Sequence, residues 1–298
     1  MSYGILNLYK PIGPTSRDCV NRLLPRFRPS KVAHAGTLDP LAQGVLLILV
    51  GPAVRLMDEI HELDKEYVAT FVLGQRSPSG DLETLSESVP LPSAIDRHSI
   101  QQAMGSFVGC IEQIPPAYSA VWVDGKRSHQ AARRGESLSI PARKVTVHEL
   151  ELLDSDLPIL RLRIQCSTGT YVRTLGSDLA KSLGSDAVMT ELIRVRVGSF
   201  HLQAAQAIDA LPDSISNEML QPAIAALSQW ERWRVDDSLM RRILDGQRLS
   251  PSEIPSKSGS RLAVLDEHDI LRALLKKLPD GTWRCDKGIA HWDVYPST

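Results

Sequence analysis

The feature that most limits what this chain can become is the apolar run VLLILV at 45–50, with Gly44 before it and Gly51 behind it. A short stretch of Leu and β-branched residues with no polar break reads as a strand buried on both faces. Just ahead of it stands His34-Ala35-Gly36-Thr37-Leu38-Asp39-Pro40. Asp before Pro is a helix-start pair, with Asp as N-cap and Pro at the first helical position, where no N–H is needed. The sequence therefore predicts barely one turn of helix from Asp39, ended by Gly44. Taken alone, Asp39 reads as a cap and His34 as a hydrogen-bonded structural residue. A His, a Gly and a carboxylate on one stiff turn in front of an interior strand also have the makings of a preorganised site.

At 298 residues the chain has room for one large domain, or one large and one small. No apolar run is long enough to span a bilayer, and residues 1–13 lack the basic stretch and apolar core of a signal peptide. Cys19, Cys110, Cys166 and Cys285 are scattered with no Cys-x-x-Cys pair. That spacing speaks against a zinc site or disulfide framework and for a reducing, cytoplasmic setting. The formal net charge of −1 hides an uneven distribution. Residues 1–33 carry Lys10, Arg17, Arg22, Arg26, Arg28 and Lys31 against Asp18. Residues 118–144 carry Lys126, Arg127, Arg133, Arg134, Arg143 and Lys144 against Asp124 and Glu136. Such a chain presents either a basic face suited to phosphates or ordinary solvated charge.

Along the chain, residues 3–9 read as a strand. A helix capped by Thr15 or Ser16 follows and is stopped by Pro25. Residues 53–60 read as a short amphipathic helix, and 65–74 as a strand with Tyr67, Ala69, Phe71 and Leu73 on one face. Residues 75–98 read as loop and 100–107 as helix. The proline-fixed segment 114–120 then leads into a hairpin turning at Asp124-Gly125. The basic block 118–144 reads as an excursion out of the sheet. Strands at 143–150 and 160–166 precede a Gly169 turn and a helix at 175–183, followed by a strand at 191–200. Arg173 falls in the first helical turn, where a cation opposes the macrodipole, so its placement asks for an anionic partner. From about 236 the tail reads as a helix at 238–244 followed by short strands.

Five ordered segments resemble the TruB family of tRNA pseudouridine-55 synthases. They are Lys10-Pro11-x-Gly13-x-Thr15-Ser16; His34-x-Gly36-Thr37-Leu38-Asp39-Pro40-Leu41-Ala42-x-Gly44; Lys65-x-Tyr67 with Leu73-Gly74; Ile114-Pro115-Pro116-x-Tyr118-Ser119-Ala120; and Gly169-Thr170-Tyr171-Val172-Arg173. Ala35, Trp122, His129-Gln130 and Ile193 depart from the family's usual Thr, Lys, Tyr-Glu and Arg. The resemblance covers residues 4–200, and a weaker one relates the tail to PUA-like RNA-binding domains.

The resemblance implies an α+β fold, a mixed, largely antiparallel sheet with flanking helices and a central cleft. It implies a catalytic domain over 1–235 with a basic RNA-contacting insertion about 110–145, and a small β-rich PUA-like domain over 236–298. It implies isomerisation of uridine at position 55 in the T loop of tRNA by a monomer, without cofactor or metal, after the nucleotide has been flipped out. Asp39 then acts at the ribose or the base, with Arg173 as its ion-pair partner. Tyr67 stacks on the base and is a candidate to take the C5 proton. His34, Tyr171 and Leu192 line the pocket, and Lys126, Arg127, Arg133 and Arg134 contact the RNA backbone. Other readings are a guide-RNA-directed synthase of the dyskerin branch, a non-catalytic tRNA-binding or tRNA-folding module, and an unrelated glycoside-cleaving enzyme.

Overall fold

The structure, a computed structural model, describes residues 2–123, 125–255 and 259–289. The chain divides into two compact units. One gathers the segments up to Pro40, Gly44–Glu62 and from Gly198 onward, and the other Leu41–Gln43 with Leu63–Val197.

The first unit opens with β1 (Gly4–Lys10), α1 (Ser16–Leu23), β2 (Val32–Ala35), β3 (Ala42–Val50) and α2 (Met57–Glu62). Both β1 and β2 pair antiparallel with β3; Val50 faces Gly4 on one side and Val32 on the other. Neighbours on both edges make β3 an interior strand, and the side chains of residues 45–50 are fully buried on both faces, as their composition requires. Thr15, not Ser16, caps α1. It accepts from Asp18 N while Asp18 accepts from Thr15 N, a capping box. Cys19, Val20 and Leu23 of that helix close a core with Leu6, Leu8, Leu46 and Ile48.

The helix expected from Asp39 does not form. Residues 36–41 are loop and turn, and β3 begins at Ala42. The loop's backbone is held by a distant turn instead. Ser16 Oγ accepts from Leu38 N at 2.8 Å and donates to Leu38 O at 3.0 Å, and Gly13 N donates to Pro40 O at 2.8 Å. Gly44, expected to end that helix, lies inside β3 opposite Lys10 at φ 109°, a backbone angle that favours glycine. The helix expected at 53–60 is a 3₁₀ turn, Gly51–Leu56, leading into α2.

The second unit contains β4 (Lys65–Leu73), β5 (Gln75–Arg76), β6 (Glu87–Ser88), α3 (Arg97–Met104) and β7 (Gly109–Gln113). The excursion follows, with β8 (Trp122–Val123), β9 (Lys126–Arg127) and α4 (Ser128–Arg133). It closes with β10 (Arg143–Asp154), β11 (Ile159–Cys166), α5 (Val172–Ser182) and β12 (Ala187–Val197). These strands lie in the order β12-β4-β11-β10-β7, every neighbour antiparallel. α5 presses onto β4 through Gly176, where an added Cβ would sit 2.0 Å from the Phe71 ring. Of the expected Asp124-Gly125 turn, Asp124 lies outside the described residues.

The first unit resumes with β13 (Phe200–His201) and β14 (Gln206–Ala207), the latter parallel to β1. β15 (Glu231–Arg234), α6 (Asp237–Leu244), β16 (Arg261–Leu265), β17 (Leu271–Lys277) and β18 (Trp283–Gly288) complete it. The last four strands form a separate sheet in chain order, opened by a parallel β15–β16 pair. Met240, Ile243, Leu262, Val264, Leu275 and Trp283 give it its own core. It is fastened to the start of the chain. Tyr3 Oη donates to Leu271 O at 2.8 Å, and Lys287 Nζ reaches Asp58 at 2.8 Å and Glu59 at 3.0 Å. The fold is thus α+β, with mixed but largely antiparallel pairing and a small separate β-sheet toward the C-terminus. Among the described residues no helix is long and apolar enough to cross a membrane.

Candidate active site

In the first unit, Asp39 is half-buried on a loop gripped on both sides, through Leu38 by Ser16 and through Pro40 by Gly13. Ser16 is itself buried, so the grip is shielded from water and holds the carboxylate's mount rigid. His34 lies on β2 opposite Ile48. Lys10, of the first motif, is fully buried, and its Nζ donates to Pro11 O at 3.0 Å.

In the second unit, β4 and β12 fix Tyr67 and Leu192 by register. Arg194 faces Tyr67 and Leu192 faces Ala69, so these side chains share one sheet face. It is the face on which α5 rests against Phe71. Tyr67, at the start of β4, is half-buried. Lys65, two residues earlier, is buried. Desolvation, with the neighbouring Arg194 charge adding to it, brings its ammonium down to about 8.

Tyr171 and Arg173 flank the start of α5, whose N-cap Tyr171 has no capping side chain of its own. Gln113 instead holds that residue's own backbone. Its Oε1 accepts from Tyr171 N at 3.0 Å and its Nε2 donates to Tyr171 O at 3.4 Å, with the glutamine buried at the end of β7. Arg173 is buried, and the anion that its position requires is present: Nη1 lies 3.0 Å from Asp81 Oδ2. Nη1 and Nη2 also donate to Ser79 O and Tyr118 O, each at 2.9 Å. Asp81 in turn is set by a tight turn in which Ser77 Oγ donates to its carbonyl at 2.7 Å and its Oδ1 accepts from Glu83 N at 2.9 Å.

Asp81 and Gln113 are the residues that sequence reading missed. The Ser79-Gly80-Asp81 turn inside the stretch read as plain loop was the available signal for the first. Nothing in the sequence marks the second except its place just before Ile114-Pro115-Pro116.

The excursion carries its charge at the surface but not bare. Lys126 and Arg134 both reach Glu136 at 2.8 Å and hold its carboxyl below the usual range, chiefly through Lys126's hydrogen bond. Arg133 reaches Glu83 at 2.6 Å, and Arg127 lies over the Trp122 ring, 5.1 Å from its centre. Ser128 Oγ and His129 N anchor the far end to the carbonyls of Ala117 and Ser119. The expected residues thus fall into two groups, His34 and Asp39 in one unit and Tyr67, Tyr171, Arg173 and Leu192 in the other.

Residues 25–172 match the family model described as "TruB family pseudouridylate synthase (N terminal domain)". The chain is 41% identical to tRNA pseudouridine synthase B of Rhodopirellula baltica, over 85% of this chain and 78% of that protein. It is 40% identical to that of Burkholderia lata, over 90% of this chain and 85% of the relative. The chain belongs to the TruB family. As a TruB family protein it is a pseudouridine synthase, an isomerase. Its fold also matches a chain from the crystal structure of a Cbf5-Nop10-Gar1 complex, at 26% identity and a TM-score of 0.77. That match covers the whole of this chain and 88% of the other.

Proposed function

We propose that this TruB family protein converts uridine to pseudouridine at position 55 in the T loop of tRNA. The observation that carries this reading is Asp39, a half-buried carboxylate on an immobilised loop, in a chain about 40% identical to tRNA pseudouridine synthases. The target nucleotide is flipped out of its stack before reaction. Asp39 acts at C1′ or at the ring while the N1–C1′ bond breaks and the base turns. A C5–C1′ bond then forms, the C5 proton leaves and N1 gains a proton. Tyr67 stacks on the uracil and stands ready to take the C5 proton. Arg173 provides the positive charge that keeps the acting carboxylate ionised. His34, Tyr171 and Leu192 wall the pocket, and Lys126, Arg127, Arg133 and Arg134 meet phosphates. No cofactor or metal takes part in this scheme.

In the same reading, residues 1–235 form the catalytic domain of a monomer, and residues 236–298 a PUA-like domain that adds affinity for the acceptor side. The likeness to a Cbf5 chain favours a guide-RNA-directed alternative. The higher identity to the tRNA enzymes favours the direct one. Purified protein, incubated alone with unmodified tRNA and mapped by carbodiimide-stop sequencing, decides between them. A stop at position 55 without added RNA or protein is expected. Asp39→Asn keeps the size and hydrogen bonding but not the charge, and is expected to abolish the stop while tRNA affinity stays within several-fold. Near wild-type turnover by that variant would remove Asp39 from the chemistry.

A further inference from the structure

Among the described residues the large hydrophobic side chains that stand well exposed are aliphatic, with one aromatic exception, Trp122, at 60%. Its setting is unusual for a surface indole. Trp122 pairs directly across the excursion's hairpin with Arg127, whose guanidinium covers the ring. Neither residue is needed to close a core, and Arg127 has no ion pair among the described residues. Its neighbours Lys126, Arg133 and Arg134 do pair with carboxylates. A cation held over an indole orients the ring and costs it little further ordering on binding. Exposed aromatic and guanidinium planes on a basic element are the surfaces on which unpaired nucleobases stack, because every base offers a π-face.

We infer that the Trp122–Arg127 pair is a stacking platform for an unpaired nucleobase of the RNA substrate. The stacking contact is additional to the phosphate contacts proposed for the excursion, one of which is Arg127's own, and the inference rests on the RNA-modifying reading above. Duplex bases are already stacked on one another, so the occupant is a loop nucleotide, recognised by its flat face with little preference for sequence.

The two kinds of contact respond differently to salt. Stacking releases no counterions, whereas removing one phosphate contact lowers the slope of log affinity against log salt by somewhat less than one unit. The test uses the full chain and an unmodified tRNA transcript, with Trp122→Ala, Trp122→Phe and Arg127→Ala. Trp122→Ala is expected to weaken binding by roughly five- to a hundredfold with the salt slope unchanged, and Trp122→Phe to retain most of the affinity. Of the five tryptophans in the chain, Trp122 is expected to contribute most of the fluorescence quenching on tRNA addition, so Trp122→Phe should abolish most of it.

Wild-type affinity in Trp122→Ala would overturn the platform. So would a loss accompanied by the same fall in slope as Arg127→Ala, since the ring would then serve only to prop a phosphate contact. Because the residue is on the surface, misfolding does not confuse the outcome. Wild-type protein that binds tRNA but forms no pseudouridine would break the functional reading and leave the binding result standing.

Discussion

Two sets of ion pairs in the second unit use the same chemistry in opposite surroundings. Arg173 and Asp81 meet with side chains only 7% and 2% exposed. Arg133 and Glu83 meet at 2.6 Å, a shorter distance, with side chains 63% and 39% exposed. Distance alone would rank the second pair higher. Burial reverses the ranking, because breaking a buried pair strands a charge away from water, while an exposed pair trades its partner for solvent at little cost. The buried pair therefore fixes geometry, with the Ser79 and Tyr118 carbonyls accepting from the same guanidinium. The exposed pairs keep cations neutralised but available, and under the proposed function RNA phosphates displace Glu83 and Glu136.

The sharpest way to break this contrast is at Arg173. Arg173→Met is expected to lose nearly all kcat on tRNA. Arg173→Lys, which keeps the charge but cannot satisfy Asp81 and two carbonyls with one planar fork, should lose roughly a hundredfold. A double-mutant cycle with Asp39→Asn tells whether the two side chains act as a pair; independent, multiplicative losses would mean that they do not.

Stability gives the next contrast. Asp81→Asn should cost roughly 3–5 kcal/mol in chemical denaturation, against at most about 0.5 kcal/mol for Glu83→Gln. Equal shifts would erase the distinction between the two pairs.

Lys65 sharpens the same point through pH. Its ammonium, whose Nζ donates to Leu63 O, is brought down to about 8 by burial. Below that pH both folded and unfolded chains carry the proton, and the desolvation cost is present in full. Between about 8 and the unfolded value near 10.4 the unfolded chain binds more protons, so stability rises with pH. Lys65→Met should flatten that rise in denaturation curves taken across the interval. A rise of the same size in the variant would assign it to other groups.

The smallest effect is expected on the outer face. Arg133→Ala with Arg134→Ala should leave stability within about 0.5 kcal/mol. The tRNA salt slope should fall by roughly one unit for each phosphate that the variant no longer binds. An unchanged slope would return both residues to ordinary surface charge.

Much of this arrangement was legible in the chain. The run at 45–50 announced an interior strand. The helix dipole at Arg173 called for an anion, for which the sequence offered Asp39; Asp81, more than ninety residues earlier, supplies one as well and could not be singled out. The Asp39 loop was misread as a helix start for a related reason. Local preference favoured a cap, while Ser16 and Gly13, distant in sequence, claimed the loop's backbone. Gln113's hold on Tyr171 left no local trace, because the two residues stand 58 positions apart in the chain. The excursion's positive charge could be counted, but its neutralisation by Glu83 depends on a fold that brings residues fifty positions apart together. β15 was not foreseen either, since a four-residue strand whose partner lies beyond a helix has little pattern to show.

The division of the chain also bears on how the protein is made. Apart from residues 41–43, the second unit is one continuous stretch, 63–197, whereas the first is closed only by segments from Gly198 onward. At ribosomal rates of about 5–20 residues per second, roughly seven to twenty-seven seconds separate the last residue of α2 from the first of the closing segment. During that interval β1 lacks its parallel neighbour β14, and Leu6, Leu8 and Val20 lack Ile208, Leu211 and Leu220 to cover them. The stretch 63–197 can meanwhile pair β4, β11, β10 and β7, and gains β12 only as the interval ends. The opening strand of the nascent chain thus waits for its parallel neighbour until the whole of the middle unit has been made.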